Sequence, residues 1–287
     1  MSKHVIYYAM GGGLGHLTRA RAVLRTLEIE NESAILSSSP FANDVRVVGD
    51  VKVINVPQSF EKSVADFRLW LFDVFEKSNV TEIYIDTFPA GIIGEFCDFD
   101  FGKMKLNYIA RALKWNAYSP LLYGNLPKFQ KTFILESLEE EHENYIDEHS
   151  QKKTSLDLIY PQTFFSDQHK IIVENHSPFW LIFHSEYDEE VKELLDYADE
   201  MRVIENANVS LVLITPKSSS SFPLNTFHFD LYPVSQLFPY AERIISGCGF
   251  NAINLAREFK NKHHVIPFPR RYDDQYKRAF NAFQIHS

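Results

Sequence analysis

Cysteine is nearly absent: the 287 residues hold only Cys97 and Cys248. They stand far apart and match neither metal-ligand spacing nor a disulfide framework. A reduced, cytoplasmic chain with both thiols in the core is therefore expected. Positive charge is also short, with 29 Lys and Arg against 38 Asp and Glu and a net charge of -9. That balance excludes a broad basic face for nucleic acid. No run approaches the ~20 apolar residues of a membrane span. The opening MSKHVIYYAM is too short and too polar for a signal peptide. What the chain does have is 45% hydrophobic residues, enough to bury one large core or two of ordinary size. Two domains are expected.

HVIYYAM is a short β-branched and aromatic run, and LTRARAVLRTLE follows it with apolar Leu17, Ala20, Val23, Leu24 and Leu27 at helical spacing. SAILSSS and VKVINVP predict further strands. KSVADFRLWLFDVFEKSN predicts an amphipathic helix with Phe67, Leu71, Val74 and Phe75 along one stripe. VTEIYIDTFPAG is a strand ending in Asp86, and LNYIARALKW and KTFILES extend the series. Alternating strands and helices predict a doubly wound parallel sheet. The acidic ESLEEEHENYIDEHSQKK reads as a solvated helix or linker. A second series then begins with PFWLIFHS, DEEVKELLDYADEM and VSLVLIT, followed by a flexible PKSSSSFP loop. AERIISGCGFNAINLAREF, HHVIPFP and DDQYKRAFNAF complete it. The expected domains are residues 1–162 and 163–287, two α/β units leaving a cleft with ligands at the carboxyl ends of the strands.

Three loops carry candidate chemistry. GGGLGH, with Gly12, Gly13, Gly15 and His16, is not in the register of a dinucleotide fingerprint. Its glycines permit close backbone approach, and the helix it opens offers free N–H groups. His16 reads either as a capping residue or as a catalytic one. SGCGFNAINLARE repeats the pattern with Ser246, Gly247, Gly249 and Asn251. PFPRRYDDQYKRA carries Arg270, Arg271, Asp273, Asp274 and Gln275. Side-by-side Asp and Gln suit sugar hydroxyls, Arg beside a helix N-terminus suits phosphate, and Asp273 or Asp274 also suits a helix N-cap.

The pairing of GGGLGH with ISGCGFNAI…VIPFPRRYDDQYKRA, together with IYIDTFPAGIIGEF, resembles the nucleotide-sugar-dependent glycosyltransferases of the GT-B fold, particularly the MurG-like group. The resemblance implies two Rossmann-like domains facing across a cleft, the first taking an acceptor and the second a nucleotide-sugar, UDP-linked in that group. It implies that Gly12, Gly13 and Gly15 lie near diphosphate and acceptor, with His16 as general base. Gly249 and Asn251, with Ser246 and Gly247 just before them, would face the diphosphate. Asp274 and Gln275 would contact the donor sugar, N-acetylglucosamine or another hexose. Asp86 is placed by position as the partner that orients His16. The chain departs from the group at Leu255, where relatives hold the ribose with a glutamate, the nearest carboxylate being Glu258. It also has KNK in place of a Gly-Lys-Pro turn, and it ends where relatives continue, so a truncated second domain is expected.

The expected reaction is a single inversion: the imidazole takes the acceptor proton while helix N-termini with Arg270 or Arg271 stabilise the leaving diphosphate. No Asp-x-Asp flanked by a strand is read, so neither a metal nor a cofactor is expected. A nucleotide-sugar-binding module without turnover, and an epimerase or hydrolase of sugar nucleotides, are the other classes the scaffold allows. The acceptor, whether glycan, lipid-linked or small, stays open. Trp70 and Phe72 are expected to pack within the protein in preference to a peripheral contact at the inner membrane face. The arginines of LTRARAVLRTL are expected on a solvated helix face.

Overall fold

A computed structural model of the chain describes residues 4–161, 164–216, 223 and 225–284. It divides into two compact units, Met1–Pro161 with Arg271–Asp274, and Gln162–Arg270 with Gln275–Ser287. The serine-rich stretch at 217–222 lies outside the described residues.

The first unit is built on strands β1 (Val5–Ala9), β2 (Ser33–Ser37), β3 (Lys52–Asn55), β4 (Glu82–Asp86), β5 (Lys105–Ala110), β6 (Lys131–Ile134) and β7 (Lys153–Ser155). They form one parallel sheet in the order β3-β2-β1-β4-β5-β6-β7. Its helices are α1 (Leu14–Thr26), α2 (Val45–Val48), α3 (Val64–Lys77), α4 (Trp115–Tyr118) and α5 (Glu140–His149). All five residues of β1 and of β4 are buried, as expected of central parallel strands covered on both faces. On α3 the stripe holds: Phe67, Leu71 and Phe75 are buried against Tyr8, Ile83, Ile85 and Tyr108, and Val74 and Trp70 are partly buried against the same core. Of the two aromatics expected to pack within the protein only Trp70 does so; Phe72 is exposed, because it lies off the buried stripe of α3.

The second unit contains α6 (Asp167–His176), β8 (Phe179–Phe183), α7 (Asp188–Ile204), β9 (Ser210–Ile214), β10 (Thr226–Phe229), β11 (Arg243–Gly247), α8 (Phe250–Leu255), β12 (His263–Ile266) and α9 (Gln275–Gln284). Its parallel sheet runs β10-β9-β8-β11-β12. Apolar layers cover both faces, one around Leu181, Val212 and Phe238, the other around Ile182, Leu194 and Ile245. In each sheet, the order reverses beside the first strand of the unit, between β1 and β4 and between β8 and β11. Open α/β sheets bind ligands at such points, outside the carboxyl ends of the strands.

Two further expectations are corrected. The acidic stretch is not a fully solvated helix, because α5 buries His142, Tyr145 and Ile146. Those residues fall at i, i+3 and i+4, one helical face hidden among glutamates. Nor are the α1 arginines all solvated: Arg19 is 2% exposed, held inside by a buried carboxylate. Both cysteines are buried and neither forms a disulfide.

Burial pushes two core histidines, His142 in the first unit and His263 in the second, down to about 4, His264 contributing to the latter. The unfolded value is ~6.5, so between these limits the unfolded chain binds more protons and stability is lost as pH falls. Each unit is expected to lose about 2 kcal/mol between pH 7 and pH 5. Urea unfolding followed across that range checks this, and a flat profile contradicts it.

Candidate active site

Between β1 and β4 the chain leaves the sheet in opposite directions, and the loop after β1 turns into α1. Gly13 is the N-cap of that helix and supplies no side-chain cap. His16 therefore lies in the first turn, its side chain 16% exposed. Gly11 is what admits the ring: its φ is +152°, and a Cβ there would lie 2.3 Å from His16 Cδ2 and 2.6 Å from Nε2. Gly11→Ala is expected to cost about 1–3 kcal/mol in urea unfolding and to drive the imidazole from its place. An unchanged denaturation midpoint would show that the loop yields instead.

His16 Nδ1 lies 2.7 Å from Asp86 Oδ2, at the end of β4. Asp86 is fully buried and receives three further donors. Arg19 Nε and the Tyr7 hydroxyl donate to Oδ1 at 2.7 and 3.0 Å, and Arg19 Nη2 donates to Oδ2 at 2.5 Å. Burial works against a charged Asp86, but Arg19 and the hydrogen bonds from His16 and Arg19 outweigh it and hold the carboxyl well below the usual range. An ionised carboxylate only accepts, so the network assigns the proton to His16 Nδ1 and the lone pair to Nε2. Burial and then Arg19 lower the His16 pKa, with Asp86 offsetting only part and Arg111 adding to the fall. The imidazole is neutral at neutral pH, with its lone pair on the nitrogen away from Asp86, which is the state a general base requires.

Thr87, next in the chain, has φ +67°. A β-branched residue rarely occupies that region, and such strain persists only where surroundings over-determine it. They do so here. Thr87 Oγ1 accepts from Arg19 Nη2 at 2.9 Å and Arg111 Nε at 3.1 Å, while its carbonyl accepts from the Tyr108 hydroxyl at 2.7 Å. Arg111 also pairs with Asp273 at 2.8 Å. The segment carrying Asp273 is seated in this unit by Lys114 N–H donating to the Tyr272 carbonyl and by Tyr272 packing on Phe88 and Tyr118.

The other expected residues are placed as follows. A Cβ at Gly12 or Gly249 would meet nothing within 4 Å, so packing does not demand glycine at either. Gly15 lies within the first turn of α1. Ser246 is buried, its hydroxyl engaged by His263 Nε2 at 2.8 Å and donating to the Gly247 carbonyl. Gly247 closes β11, where a Cβ would lie 3.0 Å from His184 Cε1, and Gly249 is the N-cap of α8 with Asn251 just inside. Arg270 is engaged by Glu190 at 2.5 and 2.6 Å, and Glu190 also pairs with His184 at 2.7 Å. Burial opposes the Glu190 charge, but His184 and Arg270 bring its carboxyl down to about 2. Arg271 lies over the Tyr272 ring at 4.7 Å. The unit boundary falls between Asp274 and Gln275. Gln275 is buried, and its carbonyl accepts the Phe268 N–H at 3.1 Å. Leu255 packs into the apolar layer of the second unit, and Glu258 is exposed.

Sequence reasoning missed Arg19, Thr87, Arg111 and the His184–Glu190 pair. It also missed Arg278, which donates to the Cys248 carbonyl of the second glycine turn at 3.0 Å. Only Arg19 carried a signal, since the i, i+3 spacing in HLTR puts it on the helical face of His16. The motif DFD does contain an Asp-x-Asp, in a loop. There Asp98 Oδ1 accepts from the backbone and side chain of Asn125, and Asp100 accepts the Gly102 N–H. Among the described residues no group of three or more His, Cys, Asp and Glu is placed to hold a metal ion, and no helix is long and apolar enough to cross a membrane.

No protein-family model and no curated protein matches the chain. Solved structures do. The chain is similar to the glycosyltransferase SnogD from Streptomyces nogalater, with 11% identity, TM-score 0.59 and coverage of 99% of this chain and 85% of that one. It is similar to the spinosyn rhamnosyltransferase SpnG complexed with thymidine diphosphate, with 10% identity, TM-score 0.60 and coverage of 93% and 81%. It is similar to S. aureus MnaA bound to UDP, with 12% identity, TM-score 0.64 and coverage of 98% and 82%. The chain thus has the two-domain α/β fold of the GT-B glycosyltransferases.

Proposed function

We propose that this protein is a cytoplasmic glycosyltransferase that moves a sugar from a nucleoside-diphosphate sugar to a hydroxyl acceptor. The observation that carries the reading is the buried Asp86 presenting a neutral His16 at the β1/β4 reversal, with the lone pair on Nε2. Nε2 takes the acceptor proton as the oxygen attacks the anomeric carbon. The bond from that carbon to the diphosphate breaks, and the leaving group takes its electron pair. One displacement inverts the anomeric configuration. Within the second unit, the backbone N–H groups of the Gly247–Asn251 turn suit the charge of a diphosphate. Glycine at positions 12 and 249, unexplained by packing, suits close approach of a ligand to the backbone. Arg270, already engaged by Glu190 through two nitrogens, is a poorer candidate for that charge than the sequence alone suggests. UDP and TDP are the first nucleotides to test, since each occurs in a structure of this fold.

A thermal-shift panel of UDP, TDP, GDP and their sugars tests this. At 100 times its dissociation constant a true donor stabilises the fold by about 2.7 kcal/mol. No shift with any nucleotide would reject the reading. A second reading, a nucleotide-sugar-binding module without turnover, is favoured by Leu255, a partly buried apolar residue where the resemblance expects a ribose-binding glutamate. Binding without nucleotide release in the presence of broad acceptor pools would select it.

A further inference from the structure

The turn of α1 that carries His16 also buries Arg19, and the transfer step above gives Arg19 no task. We infer that Arg19 is the positioning residue of this site: it locks Asp86 in the one orientation that fixes the His16 tautomer, and it opposes a second proton on the ring. The inference rests on the reading of His16 as base only for its catalytic meaning.

The geometry is that of a saturated carboxylate. A carboxylate offers about four lone-pair sites. Arg19 Nε and the Tyr7 hydroxyl fill those of Asp86 Oδ1, and Arg19 Nη2 and His16 Nδ1 fill those of Oδ2. Arg19 alone touches both oxygens, and its Nη2 is anchored a second time on Thr87 Oγ1. The carboxylate therefore cannot turn without breaking the fork. A lysine could place one point charge here but not two parallel donors.

The same fork brings a cation against the ring, with Nη2 3.0 Å from His16 Nδ1. The titratable and charged groups facing His16 come from every neighbouring element: Tyr7 on β1, Arg19 on α1, Asp86 on β4 and Arg111 just beyond β5. Asp273 pairs with Arg111, and Tyr160 acts on Arg19. Two guanidiniums thus balance two carboxylates. A proton added to His16 would leave a net positive charge in a buried cluster, which desolvation and the Arg19 charge both resist. An unopposed aspartate would do the reverse and raise the basicity of the ring.

The test is 15N-detected NMR of the imidazoles in the full chain, with His16 assigned by the signal lost in His16→Ala. In the wild type His16 is expected to be the Nδ1–H tautomer at pH 7 and to protonate with a midpoint below ~6.5. An Nε2–H tautomer would overturn the inference without any variant. Arg19→Gln is expected to raise the midpoint by about one unit or more, and an unchanged midpoint in a folded variant would overturn it. Should Arg19→Gln not fold, Arg19→Lys decides, since it keeps the charge and loses the fork. There the Nδ1–H proton is expected to exchange with water about tenfold faster, and a wild-type exchange rate would show that the fork does not hold Asp86. A purely structural role predicts lower stability with no change in midpoint or exchange. These readouts need no substrate, so failure of the glycosyltransferase reading leaves them standing, and their failure leaves that reading intact.

Discussion

His16→Ala is expected to lower turnover by about 10²–10⁴-fold, the contribution of a positioned general base, while the donor dissociation constant changes less than about threefold. The asymmetry follows from the geometry. His16 is partly exposed and gives Asp86 only one of its four hydrogen bonds, so the buried Arg19–Asp86 pair survives its loss. The pH profile of the wild type carries a second signature. Under the proposed function activity needs the neutral ring, so the rate is expected to fall as pH drops through its folded pKa, which burial and Arg19 set below the ordinary value. The acid limb of kcat/KM should therefore lie below ~6.5. Steady-state rates with the nucleotide-sugar selected by the binding panel, measured for both proteins from pH 5 to 8, decide the matter. Retained turnover in His16→Ala would remove His16 from the mechanism.

Asp86→Ala is expected to destabilise the first unit by about 3–5 kcal/mol, because it breaks a buried pair and leaves an uncompensated guanidinium inside. Arg19 is 2% exposed and cannot reach water, and the Tyr7 hydroxyl loses its acceptor as well. The sign of the pH dependence follows from the direction of the shift. The folded carboxyl titrates below its unfolded value of ~3.9, so its stabilisation is complete above that pH and is lost as pH falls through the folded value. The wild type and Asp86→Ala should therefore differ most in urea unfolding near neutrality and converge toward strong acid. A difference under about 1 kcal/mol at pH 7 would show that the cluster relaxes and lets water reach Arg19.

A large loss at Asp86 would fit a site whose parts came from different kinds of information. Asp86 was legible because it ends an apolar strand just before a Pro and Gly turn, where a parallel strand delivers its last residue to the functional edge. His16 was legible from the glycines before it. Arg19 was misread as solvated although it stands three residues from His16, since helical spacing gives a face and not what covers it. Arg111 and Thr87 left no mark at all. One owes its place to pairing with Asp273, 162 positions away, and the other to a backbone conformation its residue type disfavours.

The sequence by itself determined the alternation of strands and helices, both glycine turns and the candidate base with its acidic partner. Period-2 and 3.6-residue patterns, turn residues and buried apolar runs act over a few residues and are written locally. Tertiary structure alone decided the strand orders that set the two reversal points, the burial of α5, the saturation of Asp86 and the engagement of Arg270 by partners distant in the chain. Those depend on which donors meet a buried charge after folding. Desolvation makes an unmet charge too costly to leave, yet it does not specify in advance which residue will meet it.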